Sequence, residues 1–261
     1  MIKKWIKRVD NALLGQRLRR FMENLRKIKI NKKLSKLESK LDYKFVVYHN
    51  KNNNLISQLC DQYGSDKGEI KTKGHPYPWP SHTYADFYSR LFSHCKDSVT
   101  RVFECGLGTN NPHILSNMGI HGKPGASLRV WRDYFPNATI VGADIDRDIL
   151  FQEERIKTFY MDQLNPMSIN TFWQQAGVEN FDLMIDDGLH TFPAGSCLFE
   201  NSISKLAPHG IYIIEDVYPV DLVKYRDFFS TKNFSVDYVR MFRPTVGLGD
   251  NSLVVIRGNA S

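Results

Sequence analysis

From Val99 onward the chain alternates short apolar runs with helix-length stretches, and this alternation restricts it to a βαβ architecture. Runs at 100–105 (TRVFEC), 139–143 (TIVGA), 156–160 (IKTFY), 181–185 (FDLMI) and 210–215 (GIYIIE) have strand length. Segments near 126–135, 147–153, 168–176 and 194–206 have helix length. Crossover helices between such strands imply an α/β fold, a mostly parallel sheet with helices on both faces. Two last runs, FSVDYVRMF and NSLVVIRG, joined through Arg243 to Asn251, predict a closing antiparallel hairpin. With 261 residues, 42% of them hydrophobic, the chain can bury a full core in one large domain or one domain with an appendage.

Charge is placed unevenly. Residues 1–44 hold 15 Lys and Arg against 4 Asp and Glu, whereas residues 45–261 hold 20 against 24. The net +7 therefore belongs to a leader, and the acidic body argues against nucleic acid as a partner. In the leader, Ile2, Trp5, Ile6, Val9, Leu13, Leu14, Leu18, Phe21, Met22, Leu25 and Ile28 recur at three- and four-residue steps, which predicts one amphipathic helix or two broken near Gly15. Such a helix packs on the body or on a second subunit of a homo-oligomer, or lies peripherally on an anionic membrane surface. No apolar run reaches the ~18–20 residues that cross a bilayer, and no secretory signal pattern stands at the N-terminus. Cys60, Cys95, Cys105 and Cys197 show no C-x-x-C spacing, so a reducing, cytoplasmic setting is expected. The expected organisation is a leader over 1–44, a cap over 45–98 and a ligand-binding body over 99–261. The cap carries YGSDKGEIKTKGHPYPWPSHTYADFYSRLF, a loop closing into a helix from about Thr83 to Phe92.

The first strand runs into Phe103-Glu-Cys-Gly-Leu-Gly-Thr109, where Gly106 and Gly108 allow close backbone approach by a ligand. A dinucleotide fingerprint needs a third glycine and an immediate helix; here Asn110-Asn-Pro-His and MGIHGKPGAS intervene. An adenosine ligand without phosphates fits better. Asp144, at the second strand tip, can accept both ribose hydroxyls, and Asp162, at the third, can accept from an adenine amino group. Glu104 can meet a cationic or hydroxyl part of the same ligand. Carboxylates also cap helices after strands, so each acid alone is weak evidence.

The stretches YGSDKG, FECGLGTNN, GASLRVWRDYFPNATIVGADID, MDQ, IDDGLH and IEDVY resemble the class I S-adenosylmethionine-dependent methyltransferases, and among them the metal-dependent O-methyltransferases of sugar hydroxyls on macrolide and related glycosides. The resemblance spans roughly residues 55–258 and implies a Rossmann-like, mostly parallel seven-stranded sheet with an N-terminal helical extension. It also implies S-adenosyl-L-methionine and Mg²⁺ or Mn²⁺ as cofactors.

Two strands end in acids: Asp186, Asp187 and, three residues on, His190; then Glu215 and Asp216. If those strands are neighbours, Asp187, Glu215 and Asp216 converge, and their mutual repulsion calls for a cation. An all-oxygen set suits Mg²⁺ or Mn²⁺. The resemblance implies the same set, with Asp187 a metal ligand and His190 the catalytic base that deprotonates a sugar hydroxyl. Asp186 reads as a structural or cofactor-side acid, and Lys67 can meet the cofactor carboxylate. His82, Tyr84 and Tyr218 are candidate acceptor contacts, and Tyr77 and Trp79 a candidate apolar wall. The expected acceptor is a small sugar, sugar nucleotide or glycoside, in capsule, lipopolysaccharide, other polysaccharide or glycoside biosynthesis. The alternatives are a phosphorylated or phosphoramidate-type acceptor, and a non-catalytic binding module on a methyltransferase-like fold.

Overall fold

Five of the apolar runs pair in parallel at the centre of one eight-stranded sheet. In the computed structural model the described residues are 53–71, 76–77, 79–241 and 248–258, with Leu25, Ile28, Lys29 and Lys32 as helical positions in the leader. The amphipathic reading of the leader thus falls outside the described residues. The chain divides into two units, residues 1–47 with 243–249 and residues 48–242 with 250–261, and the sheet belongs to the second.

The strands are β1 (Arg101–Cys105), β2 (Thr139–Asp144), β3 (Gln152–Glu153), β4 (Ile156–Tyr160), β5 (Phe181–Asp186), β6 (Leu206–Ile214), β7 (Phe234–Arg240) and β8 (Ser252–Gly258). Their spatial order is β3-β4-β2-β1-β5-β6-β8-β7. Strands β4, β2, β1, β5 and β6 are parallel, while β3, and the β7–β8 hairpin, add antiparallel edges. The eighth strand, one more than expected, is the two-residue β3. It lies within 147–153, for which the sequence predicts a helix. A 3₁₀ turn at Arg147–Ile149 stands there instead, and Thr158 ties the segment to β4 by bonding both the Phe151 N–H and the Phe151 carbonyl at 2.6 Å. Ile149, Leu150 and Phe151 are consecutive apolar residues packed against the core, a pattern without the helical period.

Among the described residues the α-helices are α1 (Leu55–Tyr63), α2 (Tyr84–Phe92), α3 (Ala126–Tyr134), α4 (Pro166–Ala176), α5 (Phe192–Ser202) and α6 (Pro219–Phe229). Asn54 caps α1 by accepting from the Ser57 N–H, and Gly64 closes it in the left-handed conformation at φ 78°. On one face of the sheet α1, α2 and α3 bury Ile56, Tyr88, Phe92, Trp131 and Phe135. On the other face Phe103 packs against Phe172, Trp173 and Phe181. Further along, Phe199 of α5 meets Tyr212, Phe228, Phe229 and Phe234 edge-on. No described helix is long and apolar enough to cross a membrane.

The ladder continues one step beyond the strand ends at the carboxyl edge. Met161 N–H donates to Asp144 O (2.9 Å), Gly106 to Ala143 (2.8 Å), Asp187 to Cys105 (2.9 Å) and Glu215 to Asp186 (2.9 Å). The backbones just past the strand tips are therefore set in register by the sheet itself.

Phe199 is 1% exposed and meets four aromatic rings edge-on. Phe199→Ala is expected to cost about 3–5 kcal/mol of stability, read as a lowered urea midpoint with an unchanged slope.

Candidate active site

Past the tips of β1, β5 and β6 the extended ladder sets Gly106, Asp187 and Glu215 side by side. Gly106 has φ 93°, and a Cβ there would stand 2.0 Å from the Asp187 carbonyl oxygen. Its missing side chain thus makes room for the neighbouring chain, a use of the glycine that the ligand-approach reading omits. Gly108 faces the flexible side chain of Met118.

The ligating atoms of Asp187, His190 and Asp216 all lie within 4.8 Å of one another. His190 Nε2 is 3.2 Å from Asp187 Oδ1 and 3.6 Å from Asp216 Oδ2. His190 and Asp216 both occupy the left-handed region, at φ 56° and 53°, a conformation that costs free energy in a side-chain-bearing residue and must be held by its surroundings. Two carboxylates at this spacing suit one divalent cation, with the imidazole beside them. Burial pulls the His190 imidazole down, but Asp216 and Asp187 outweigh it and push it up to about 10. Burial likewise acts to raise Asp187, and the Lys67 ammonium and His190 hold it well below the usual carboxylate range.

Glu215, expected in the metal set, has other partners. Tyr88 OH donates to its Oε1 at 2.6 Å and the Lys67 ammonium donates to its Oε2. Lys67, expected at a cofactor carboxylate, is 3% exposed and committed to the protein's own acids: besides Glu215 it reaches Asp187 Oδ2 at 2.6 Å and Glu104 Oε1 at 3.3 Å. Burial opposes its charge, and these three carboxylates hold it well above the ordinary lysine value. Glu104 is itself fully buried, with Trp131 Nε1 donating to it at 2.5 Å. The cap segment also holds Asp216, through Tyr84 OH at 2.6 Å and His82 Nδ1 at 3.4 Å. His82 stacks on Tyr84 and bonds Asn251 Oδ1 at 3.1 Å. Tyr77 and Trp79, read as an acceptor wall, instead fasten the cap loop to Gly64 and Asp66.

On the other side of the glycines, Asp144 accepts from Leu107 N–H (2.7 Å) and Asp146 N–H (2.8 Å). Its oxygens keep lone pairs for further donors. Asp162 caps its own turn through the Leu164 N–H at 3.0 Å. Its neighbour Gln163 ties the tip of β4 to β5, donating to Asp186 Oδ1 at 2.6 Å and accepting from Leu189 N–H. Asp186 Oδ2 has no hydrogen-bond partner among the described residues. It borders a cavity of about 10 Å³ with His190, Gly195, Asp216 and Tyr225. Tyr218, read as an acceptor contact, is half-exposed at the start of α6.

Sequence reasoning missed Tyr88, Gln163, Asn251 and Asp146. Tyr88 had a signal: it follows Tyr84 by one helical turn, so both reach the same face. Asp146 sits two residues past Asp144 and bonds Thr109, a pairing only the folded loop reveals.

No family model matches the chain. It is 29% identical over 162 residues to the 8-demethyl-8-alpha-L-rhamnosyl tetracenomycin-C 2'-O-methyltransferase of Streptomyces olivaceus, covering 62% of this chain and 37% of that protein. It is 30% identical over 159 residues to the mycinamicin VI 2''-O-methyltransferase of Micromonospora griseorubida, covering 59% and 37%. The match thus spans well under half the length of these relatives. Among solved structures, the MycE methyltransferase from the mycinamycin pathway, in complex with Mg and SAH, superposes with a TM-score of 0.54 at 21% identity over 79% of this chain and 55% of its own. The fold is that of the class I methyltransferases. By sequence the chain is related to O-methyltransferases of sugars on macrolide and tetracenomycin glycosides.

Burial pushes the Asp186 carboxyl up to about 6, against the Gly188 N–H and the Gln163 amide. A raised carboxyl value means stability that is complete below the unfolded value of ~3.9 and is lost as pH rises through the folded one. Asp186→Asn mimics the protonated form, so its urea midpoint is expected to gain on the wild type between about pH 4 and 6 and hold that gain above.

Proposed function

We propose that this chain transfers the methyl group of S-adenosylmethionine to a sugar hydroxyl, in a divalent-metal-dependent reaction. The observation that carries this reading is the convergence of Asp187, His190 and Asp216 within 4.8 Å at the carboxyl edge of the sheet, beside the Gly106–Gly108 loop. The relatives and MycE, which was solved with Mg and SAH, support the same chemistry.

Asp144 would accept from the ribose, with Asp146 and Thr109 fixing the loop around it. Ile145 and Leu164, apolar and about half-exposed just past β2 and β4, would flank the adenine. Asp187 and Asp216 would hold the cation, with the His190 imidazole within reach of both. A bound divalent ion would polarise the acceptor hydroxyl and offset the two carboxylates, favouring the neutral imidazole. His190 would take the hydroxyl proton as general base, and bound S-adenosylmethionine would supply the methyl group, its C–S bond to the sulfonium breaking as the acceptor oxygen bonds the methyl carbon. Tyr84 and His82 keep Asp216 aligned during this exchange.

The relatives' names, which specify rhamnosyl tetracenomycin, demethylmacrocin and mycinamicin acceptors, favour a glycoside over a capsule or lipopolysaccharide precursor. Incubation with methyl-labelled S-adenosylmethionine, Mg²⁺ and parallel panels of polyketide glycosides, sugar nucleotides and phosphorylated sugars tests this. Label in the glycoside panel, abolished by EDTA, is expected; label confined to phosphorylated sugars, or EDTA-resistant transfer, refutes it. His190→Ala is expected to lower kcat by about 10²- to 10⁴-fold while calorimetry shows S-adenosylhomocysteine binding unchanged.

A further inference from the structure

Lys67 stands in the acidic cluster for a reason that the methyl-transfer chemistry does not use. Its ammonium contacts Asp187 and Glu215, and approaches Glu104, but makes no ion pair with Asp216. Its backbone is fixed. Ala85 N–H donates to the Lys67 carbonyl at 2.8 Å, and a Cβ on Gly68 would stand 2.8 Å from Cys60 Cβ, so that turn tolerates only glycine in place. Tyr77 and Trp79 pin the preceding residues. The turn over residues 64–68 is therefore held in place, and the four-carbon stem is the part that can move.

We infer that Lys67 is a built-in counter-ion that competes with a divalent cation for Asp187 and Glu215, so that the cation must displace the ammonium and Lys67 sets the metal affinity. The inference rests on the metal reading above. Asp187 offers one oxygen to Lys67 and the other to the His190 side, so a dication arriving on the second oxygen repels the ammonium on the first and draws off the negative charge that holds it. Glu215 is held entirely by Lys67 and Tyr88, so releasing the ammonium frees a third carboxylate.

Mn²⁺ binding to the full chain, first dialysed free of metal, is measured by electron paramagnetic resonance for the wild type, Lys67→Met, Lys67→Arg and Asp216→Asn. Lys67→Met is expected to bind roughly tenfold or more tightly than the wild type, Lys67→Arg to stay near the wild type, and Asp216→Asn to lose binding. Loss in Asp216→Asn with no gain in Lys67→Met overturns the inference and leaves the metal reading standing. Equal, weak binding in all four proteins overturns both. Should Lys67→Met not fold, acetylation of Lys67 in the wild type is followed by mass spectrometry with and without saturating Mn²⁺. A several-fold faster modification with metal is expected, and an unchanged or slower one overturns the inference.

Discussion

The ammonium of Lys67 among Glu104, Asp187 and Glu215 is the interaction on which this structure turns. Glu104 and Glu215 are 0–1% exposed, and carboxylates so far from water cost several kcal/mol each unless a positive charge or hydrogen-bond donors stand beside them. The sheet delivers the acids because its ladder runs on past the strand ends. The segment between α1 and α2 delivers the cation, and α2 and α3 deliver the neutral donors, Tyr88 and Trp131. Cap and sheet are thus parts of one electrostatic unit.

The same division of labour extends to Asp216, which takes Tyr84 and His82 from the cap and faces His190 from the sheet. Each acid of the Glu215–Asp216 pair is anchored from the N-terminal side. What distinguishes Asp187, His190 and Asp216 is that they retain partial exposure and mutual proximity, with left-handed Asp216 flanked by the bonds of Glu215 N–H to Asp186 and Val217 N–H to Ser252, and left-handed His190 preceded by the bond of Leu189 N–H to Gln163.

Much of this architecture is legible in sequence because hydrophobic period and strand length are local properties. The five parallel strands and the β7–β8 hairpin fall where apolar runs and their intervening lengths place them. The segment 147–153 misleads because Ile149, Leu150 and Phe151 are apolar without period, and their fate is decided by Thr158 on another strand. In the site, the acids at strand tips are readable once the strands are taken as neighbours. The engagement of Glu215 by Lys67, and of Gly106 by the Asp187 backbone, is not, because each depends on how distant segments meet. A glycine beside a strand tip reads as space for a ligand; only the fold shows a second strand already using it.

The Lys67–Glu215 contact joins residues 148 positions apart, and Tyr84 and Asp216 are separated by 132. Closing loops of that length is slow and entropically expensive, so such contacts form only when most of the sheet is in place. The acidic centre is therefore a late product of folding: in a chain still being assembled its carboxylates remain dispersed along separate segments, each hydrated and too far from the others to trap a stray ion. The buried cluster of Lys67 with its three carboxylates therefore arrives together with the finished sheet and not before it.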